Sequence, residues 1–428
     1  MRSETLSAWS WVPSLYFAQG LPYVTVTALS VILYKNLALS NAEVALYTSW
    51  LYLPWVVKPL WSPLVDQIRT KRVWIVAMQA AIAVAFALLA LALPSQQFLF
   101  WTLALFWIIA ICSATHDIAA DGYYMLAHST HAQAAFVGIR SVFFRIALIT
   151  GQGALVYLAG SLVERSWSVI AAWQAAFMLL ALLFVLLVGW HRAFLPVPDA
   201  DRPAPVVHGR GAAFVETFTK FFRRPDIGIV LAFLLTFRLG EAQALKLVAP
   251  FLLDPRAAGG LGLPTSDVGL VYGTIGVLAL TAGGVAGGYA ISRHGLARWL
   301  WPMLFAIHLP NLAFVWLAYA QPAALSLITA AIAVEQFGYG FGFAGYLLYM
   351  ILVADGDGSN PNKTAHYAIC AGIMGLGMML PGMVSGWLQE QLGYRHFFAW
   401  VCIATLPSLV AAMFLRIDPA FGRKRAHG

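Results

Sequence analysis

Apolar residues in this chain occur in long runs, and polar residues are mostly confined to the short segments between them. A run of about 20 apolar residues is long enough to cross a bilayer as a helix. Twelve such spans are predicted, at Trp11–Tyr34, Val44–Leu64, Val73–Leu93, Phe98–Tyr124, Ala134–Leu158, Val169–Trp190, Ile227–Leu253, Val268–Ile291, Trp299–Tyr319, Ala323–Val353, Thr364–Leu388 and Phe397–Leu415. The pattern predicts an all-α integral membrane protein with twelve transmembrane helices.

The longest polar segment, His191–Asp226, divides these spans six and six. It predicts an N-terminal half at residues 1–190, a linker at 191–226 and a C-terminal half at 227–428. Within the linker, Gly211–Arg224 alternates phenylalanine with lysine and arginine, which predicts an amphipathic helix with a basic face. Such a helix suits the anionic surface of the cytoplasmic leaflet, and the alternative is a solvated linker helix.

Two short stretches recur in both halves at nearly the same spacing. The segment Ser62-Pro-Leu-Val-Asp66 after the second span corresponds to Gly288-Tyr-Ala-Ile-Ser292 after the eighth. A second similarity relates Thr150-Gly-Gln-Gly153 to a segment of the eleventh span. Parallel repeats of six helices, with a substrate site at their interface, are one of the known transporter architectures.

Composition and charge support the membrane interpretation. Apolar residues form 61% of the chain and charged residues 10%, and the mean hydropathy is +0.77. Soluble domains carry about 25% charged residues. Lysine and arginine collect in the loops that share a side with the linker, so both termini are predicted to be cytoplasmic. The basic pI reflects these loops and predicts no binding of nucleic acid.

No sequence signal points to an enzyme, a metal or a cofactor. The three cysteines, Cys112, Cys370 and Cys402, lie in apolar runs without paired spacing and are interpreted as packing residues. No cleavable signal peptide is expected, since no small-residue cleavage site precedes the first span. The glycine run that begins at Gly338 follows no strand and is a poor phosphate loop. Without an ATP-binding motif, coupling to an ion gradient is the simplest expectation.

Ionisable residues within the spans are the candidates for chemistry. Each charge at bilayer depth costs about 2.5–3.5 kcal/mol on insertion scales, and such residues mark transport pathways or relays. Proton coupling is assigned to Asp117, Asp121 and Glu335, with Asp117 as the first choice because a buried carboxylate that gains and loses a cation can bind and release a proton. Alternatively, the charges neutralise one another structurally, with Asp121 paired to Arg140 or Arg145.

A second set of residues is predicted to contact the substrate. Arginine binds carboxylate or phosphate bidentately, which favours an anionic substrate. The broken first span, around Gln19 and Pro22, is expected to line a cavity. The predicted substrate-binding residues are Gln19, Tyr23, Lys58, His116, Arg140, Arg145, Gln152, Arg238 and Glu241. The structural alternatives are packing for His116, an ion pair across to helix 4 or helix 11 for Lys58, and a mutual ion pair for Arg238 and Glu241. Lys246, outside this set, is expected to snorkel.

The loop after the second span carries Asp66 and a basic cluster of Arg69, Lys71 and Arg72. This arrangement resembles the signature loop of the major facilitator superfamily, in which the acid and the bases form a cytoplasmic latch. The corresponding C-terminal position is Ser292, which implies a weak second latch. The resemblance implies two parallel six-helix halves around a central cavity.

Three stretches resemble the muropeptide permease (AmpG) branch of that superfamily: Phe17–Pro22, Leu53–Asp66 and Ala114–Asp121. This branch also includes acetyl-CoA carriers and siderophore permeases, and His116 stands where its muropeptide permeases are expected to have glutamine. The resemblance implies a monomeric, proton-coupled importer of an anionic sugar- or peptide-containing molecule in a bacterial inner membrane. Besides its substrate, its partners would be protons and membrane lipid. The alternatives are another substrate of the branch, or a non-transporting sensor on a transporter fold.

Overall fold

The computed structural model describes residues 8–127, 130–203, 210–355, 363–419 and 421–422, and all regular secondary structure in these ranges is helical. The first six helices are α1 (Val12–Asn36), α2 (four pieces, Asn41–Trp50, Leu53–Val57, Lys58–Leu60 and Ser62–Ile68), α3 (Lys71–Ala92), α4 (Phe98–Ala127), α5 (Thr130–Leu148, Ile149–Leu155 and Val156–Glu164) and α6 (Val169–Phe194). The others are a linker helix (Arg210–Phe222), α7 (Ile227–Thr236 and Leu239–Leu253), α8 (Thr265–His294), α9 (Leu296–Ala320), α10 (Leu325–Asp355), α11 (363–392) and α12 (394–413).

Ten helical stretches in the described ranges are long and apolar enough to span a membrane. The last of them, Ala365–Met413, contains Gly393 at φ 69° and ψ 163°, outside the helical region, and therefore comprises α11 and α12. Helix α2 is not among the ten because Pro54, Pro59 and Pro63 divide it into short pieces. Counting α2 and dividing the last stretch, the helices correspond to the twelve predicted spans.

Three of the helices contain a π-helical segment, a local widening that often occurs at functional sites. These segments are Thr25–Leu29 in α1, Ile149–Leu155 in α5 and Gly269–Gly276 in α8. The first two pack against each other. At this contact Gly151 faces Val24, and a Cβ on Gly151 would collide with the valine side chain.

The chain forms two compact units. Unit 1 comprises Met1–Ala38, Leu51–Val206 and Pro264–Gly273. Within it α3 packs against α4 and α6, and α1 packs against α5 and α4. The start of α8 lies against the end of α5, where Gly160 leaves room for the backbone at Ser266. This segment, 264–273, belongs to unit 1 although the sequence assigns it to the C-terminal half.

Unit 2 comprises Leu39–Trp50, Val207–Leu263 and Thr274–Gly428. Its helices pack as α8 on α10, α7 on α11 and α9 on α10, and an aromatic core includes Phe237 stacked on Tyr346 at 4.3 Å between ring centroids. The first piece of α2 packs on α11. There Asn41 Nδ2 donates to Gln389 Oε1 at 2.7 Å, and Gly386 leaves space for the backbone of Asn41. The first piece of α2 thus belongs to the unit that holds most of the C-terminal sequence.

The predicted amphipathic segment of the linker is helical. The linker helix buries Phe221 in the core of unit 2, with its ring against that of His366. Phe222 is exposed, and Lys220 forms an ion pair with Glu216 at 2.7 Å. This hydrogen bond and charge hold the pKa of the Glu216 carboxyl below its usual value. The linker helix is therefore anchored to unit 2 through Phe221, with Phe218 packed against the same core.

Candidate functional site

The breaks in α2 bring two of its side chains to the middle of α4. Asp117 is 8% exposed; Trp55 Nε1 donates to Asp117 Oδ2 at 3.2 Å, and Lys58 Nζ lies 3.5 Å from the same oxygen. Lys58 is the first residue of a short 3₁₀ turn, Lys58–Leu60. Pro59 has no backbone N–H to donate, so the regular α-helix does not continue through this turn. Asp117 therefore has a cation on one oxygen.

The other oxygen of this carboxyl group is less well satisfied. Asp117 Oδ1 is buried and has no hydrogen-bond partner among the described residues, although the amide of Gln19 lies next to the carboxyl group. A buried polar atom without a partner costs about 1–3 kcal/mol. A proton on the carboxyl group would relieve this cost in part, because the charged form is the one that burial penalises most.

Asp121, one helical turn further along α4, has different partners. Arg140 Nη2 lies 2.5 Å from Asp121 Oδ1, and Tyr16 Oη donates to the same oxygen at 3.2 Å. The Arg140 guanidinium also lies over the rings of Tyr16 and Tyr124, at 4.2 Å and 4.3 Å from their centroids. Of the two partners that the sequence left open for Asp121, Arg140 is the one observed.

A cavity of about 400 Å³ opens beside this pair, entirely within unit 1. Its lining combines cations, polar groups and apolar side chains: Tyr16, Gln19, Asp121, Arg140, Ser141, Phe144, Arg145 and Leu148. All of these except the phenylalanine and the leucine are ionisable or carry an amide or hydroxyl group that can orient a polar ligand. An anion entering the cavity would meet two guanidinium groups and one carboxylate.

Two further predicted substrate residues lie near this cavity without lining it. Tyr23 packs edge-to-face on Trp55, at 5.2 Å, and tilted on Phe144, which is a cavity residue. Gln152 lies in the π-helical segment of α5, where its backbone carbonyl faces Gly273 of unit 1. Tyr23 thus supports the indole that binds Asp117, whereas Gln152 lies at a close contact between helices.

His116 points away from the cavity into a buried hydrogen-bonded chain. It is 1% exposed, and its Nε2 atom lies 2.9 Å from the amide nitrogen of Gln79. Gln79 Oε1 in turn contacts His191 Nδ1 at 2.8 Å, and His191 Nε2 contacts Ser14 Oγ at 3.0 Å. The chain joins α4, α3, α6 and α1, so His116 occupies a packing position. The structural alternative for this residue is the arrangement observed.

In unit 2, Arg238 and Glu241 satisfy each other. Both are buried, with Arg238 Nη2 donating to Glu241 Oε1 at 2.9 Å and to Tyr339 Oη at 2.5 Å. The ring of Phe343 lies 4.9 Å from the guanidinium. Arg238 lies in the break of α7 between Thr236 and Leu239, and Glu241 lies in the first turn after it. This is the mutual ion pair that the sequence offered as their structural alternative.

Two more ionisable residues of unit 2 are buried. Glu335 is 4% exposed and accepts a hydrogen bond from Gln336 Nε2 at 2.8 Å; the described residues provide it with no cation. The prediction that Lys246 snorkels to the surface is wrong. Its amine is buried and donates to Thr48 Oγ1 at 3.0 Å, because α11 and the first piece of α2 enclose α7 at this level.

The predicted latch residues form a compact group at the start of α3. Lys71 pairs with Asp66, and its side chain crosses Gly122 on α4, where a Cβ would collide with it. The guanidinium of Arg72 donates to two carbonyl groups at the end of α6, including Arg192 O at 2.6 Å. Arg69 is exposed and has no ion pair within the described ranges.

Sequence comparison identifies the family. The model of the Major Facilitator Superfamily matches residues 14–360. The chain belongs to the Major Facilitator Superfamily. The all-α fold and the resemblance drawn from the loop after α2 are thereby confirmed. The structure of the nucleoside transporter NupG, a D323A mutant, agrees in fold, with a TM-score of 0.71, 17% identity and coverage of 96% of this chain and 100% of that one.

Two curated relatives indicate the branch of the Major Facilitator Superfamily to which the chain is similar. The chain is 26% identical to the anhydromuropeptide permease of Escherichia coli (strain K12) over 94% of its own length and 78% of the relative. It is 24% identical to the putative transporter AmpG 4 of Rickettsia conorii, over 94% of each chain. The AmpG-like resemblance is confirmed, and both relatives are by name a permease or a transporter rather than an enzyme. The protein is a multi-pass membrane transporter.

Several residues of this major facilitator site escaped the sequence analysis. Tyr16, Trp55 and Tyr124 contact the two carboxylates or their cations, and Asp201 accepts from the backbone N–H groups of Lys71 and Arg72. Aromatic residues in an apolar span carry no signal of their own. Trp55 had the strongest indication, because it lies three residues before Lys58 between two prolines.

Proposed function

We propose that the protein is a proton-coupled secondary transporter that imports an anionic, sugar- or peptide-containing molecule of the muropeptide type across the bacterial inner membrane. The cavity in unit 1 carries this proposal, because it places two arginines beside one carboxylate and next to a second, buried one. A cavity of about 400 Å³ is within the range of small-molecule sites. The name of the Escherichia coli relative supports the substrate class.

Anion recognition is assigned to Arg145, with Arg140 as a second cation. Arg140 is already held by Asp121 and two tyrosine rings, so its position is fixed before substrate arrives. Arg145 lines the same cavity from further along α5, with Ser141 between them. A guanidinium can bind a carboxylate or phosphate bidentately. Gln19 provides an amide for the neutral hydroxyl or peptide groups of the substrate.

Proton coupling is assigned to Asp117 and Lys58. Lys58 contacts one carboxylate oxygen at 3.5 Å, a loose ion pair, while the other oxygen lacks a hydrogen-bond partner within the described residues. If Lys58 moves away, the remaining buried charge becomes costly and a proton binds; if it returns, the proton is released. Glu335, buried without a described cation, is the second candidate for carrying a proton.

The test is uptake of a radiolabelled anhydromuropeptide into proteoliposomes with an imposed proton gradient. We expect accumulation that a protonophore abolishes. Accumulation that persists with the protonophore would contradict the proton coupling, and binding of acetyl-CoA or a siderophore without any binding of anhydromuropeptide would contradict the substrate class.

The anion site is tested in the same assay with Arg145→Gln. A hydrogen bond to a charged group contributes about 1.5–3 kcal/mol, so KM should rise about 10- to 150-fold. Arg165→Gln is the matched control, because Arg165 is exposed in the loop between α5 and α6. Equal KM values for the two variants would contradict the assignment of Arg145 to the anion site.

A further inference from the structure

A second cavity, of about 670 Å³, lies within unit 2 where α7 begins and where α10 and α12 end. The lining residues of all three helices therefore lie at the level of one membrane surface. This is the side from which the linker enters α7. We refer to it as the α7–α12 cavity. It shares no lining residue with the cavity beside Asp121.

One end of the α7–α12 cavity is polar. The Arg224 guanidinium donates to both carboxylate oxygens of Asp226, at 3.0 Å and 3.1 Å, and to the carbonyl oxygen of Val353. The hydrogen bond from Arg224 holds the pKa of the Asp226 carboxyl below its usual value, so this acid stays charged at neutral pH. Arg224 is therefore a fixed cation whose charge is neutralised locally.

Arg416 supplies the open cation of the cavity. It lines the cavity, is exposed, and has no ion pair with any residue that the structure describes. The three charges of the lining, Arg224, Arg416 and Asp226, leave one net positive charge. Arg223 and Asp418, both exposed and of opposite charge, do not line the cavity.

The other end of the α7–α12 cavity is apolar and opens towards the surface of the bundle. Ile229, Met413 and Phe414 line it and are exposed by 38%, 66% and 61% of their surface. Exposed apolar side chains on a membrane-spanning helix face lipid tails. The cavity thus combines cationic groups with exposed apolar side chains at the level of a membrane surface, which is the chemical division of a phospholipid.

We propose that the α7–α12 cavity binds an anionic phospholipid, with the phosphate at Arg416 and the acyl chains over Ile229, Met413 and Phe414. Basic pockets between membrane helices at a charged membrane surface bind acidic headgroups in this way. The bound lipid holds the junction between the linker helix and α7, because Arg224 lies between Phe222 and Ile227 and lines the same cavity.

The experiment measures lipid retained by the full-length protein in native mass spectrometry, after purification in detergent with phosphatidylglycerol or phosphatidylcholine. One arginine near an anionic surface contributes about a fivefold preference. We expect Arg416→Gln to retain about fivefold less phosphatidylglycerol than the unaltered protein. The matched control, Arg223→Gln, removes an exposed arginine that does not line the cavity and should retain phosphatidylglycerol nearly unchanged.

Two results would overturn the lipid site. In the first, Arg416→Gln and Arg223→Gln lose phosphatidylglycerol equally, which would indicate a diffuse surface charge. In the second, inorganic phosphate at the same concentration displaces phosphatidylglycerol completely, which would indicate a simple anion site. Preferential retention of phosphatidylglycerol over phosphatidylcholine, lost only in Arg416→Gln, supports the proposal. A melting-temperature measurement confirms that both variants remain folded.

Discussion

Asp117 and Asp121 lie one turn apart on α4, and their surroundings differ sharply. Asp117 is buried with a loose contact to Lys58, whereas Asp121 is partly exposed in the cavity and tightly bound to Arg140. A weak partner that can leave suits proton exchange, and a fixed partner suits the positioning of an arginine. Neutralising each carboxylate is therefore expected to impair transport in a different way.

Neutralising Asp117 should separate transport from the proton gradient. Asp117→Asn keeps the shape of the side chain and cannot gain or lose a proton, so we expect accumulation of anhydromuropeptide to fall by about tenfold or more while exchange between labelled and unlabelled substrate continues. Both activities are measured in proteoliposomes.

Asp121→Asn provides the comparison for this variant. It removes the negative charge that holds the Arg140 guanidinium and leaves only a neutral amide oxygen as acceptor for Arg140 and Tyr16, so exchange and accumulation should fall together. If Asp117→Asn accumulated substrate as well as the unaltered protein, Asp117 would have no part in coupling.

At the residue scale, the sequence located the charges within the spans but not the direction in which each side chain points. The spacing of four residues places Asp117 and Asp121 on one side of α4, and the structure has both facing cations. His116 precedes Asp117 by one residue and points to Gln79 instead. That outcome depends on α3 and α6, which local spacing cannot reveal.

At the scale of helices, close packing of α8 on α10 depends on glycine. A Cβ on Gly283 would collide with the backbone carbonyl of Phe337, and a Cβ on Gly340 would collide with that of Leu280. Backbone atoms cannot move aside as a flexible side chain can. Small residues at such positions let membrane helices approach closely. The glycine run of α10 is typical of such a contact, although the run alone does not identify the partner helix.

Gly283→Ala should lower the melting temperature in detergent, because overpacking a close contact costs about 1–3 kcal/mol. Gly288→Ala is the control: it lies on the same helix, is exposed, and a Cβ added there would meet no atom within 4 Å. At that position the higher helix propensity of alanine should leave the melting temperature unchanged or slightly raised. Equal melting temperatures for both variants would contradict the close packing.

The breaks in α2 show a limit of the hydropathy pattern. The span Val44–Leu64 is continuous in hydropathy, and its prolines predict interruptions only in general terms. In the structure these interruptions divide α2 into four pieces, and the shortest piece begins with Lys58. Likewise, the π-helical segments of α1, α5 and α8 have no signature in the hydrophobic periodicity, and the close approach of Val24 to Gly151 beside two of them is a tertiary contact that periodicity does not show.

At the scale of the whole molecule, the sequence predicted the family, and its twelve spans are consistent with the observed helices. The separation into halves at residues 1–190 and 227–428 follows the long linker, but the compact units exchange two segments, 39–50 and 264–273. Hydropathy assigns such segments to a half only through their position in the chain. Their packing depends on matched surfaces, such as Gly386 with Asn41 and Gly160 with Ser266.

Both termini are predicted to be cytoplasmic, from the distribution of lysine and arginine among the loops. A reporter active only in the cytoplasm, fused after residue 428, should therefore be active. The same reporter inserted in the loop between α7 and α8, at Gly259, should be inactive. The reverse pattern would invert the orientation of the transporter and place the linker outside the cell.

The contact between Trp55 and Asp117 also provides an intrinsic fluorescence signal for this site. Indole emission responds to nearby charge, and Trp55 Nε1 donates directly to the Asp117 carboxylate, which we propose binds the proton. The chain has 16 tryptophans, but the difference between the spectra of the unaltered protein and Trp55→Phe isolates this one. Protonation of a single buried group could then be followed in real time, without a label and without substrate.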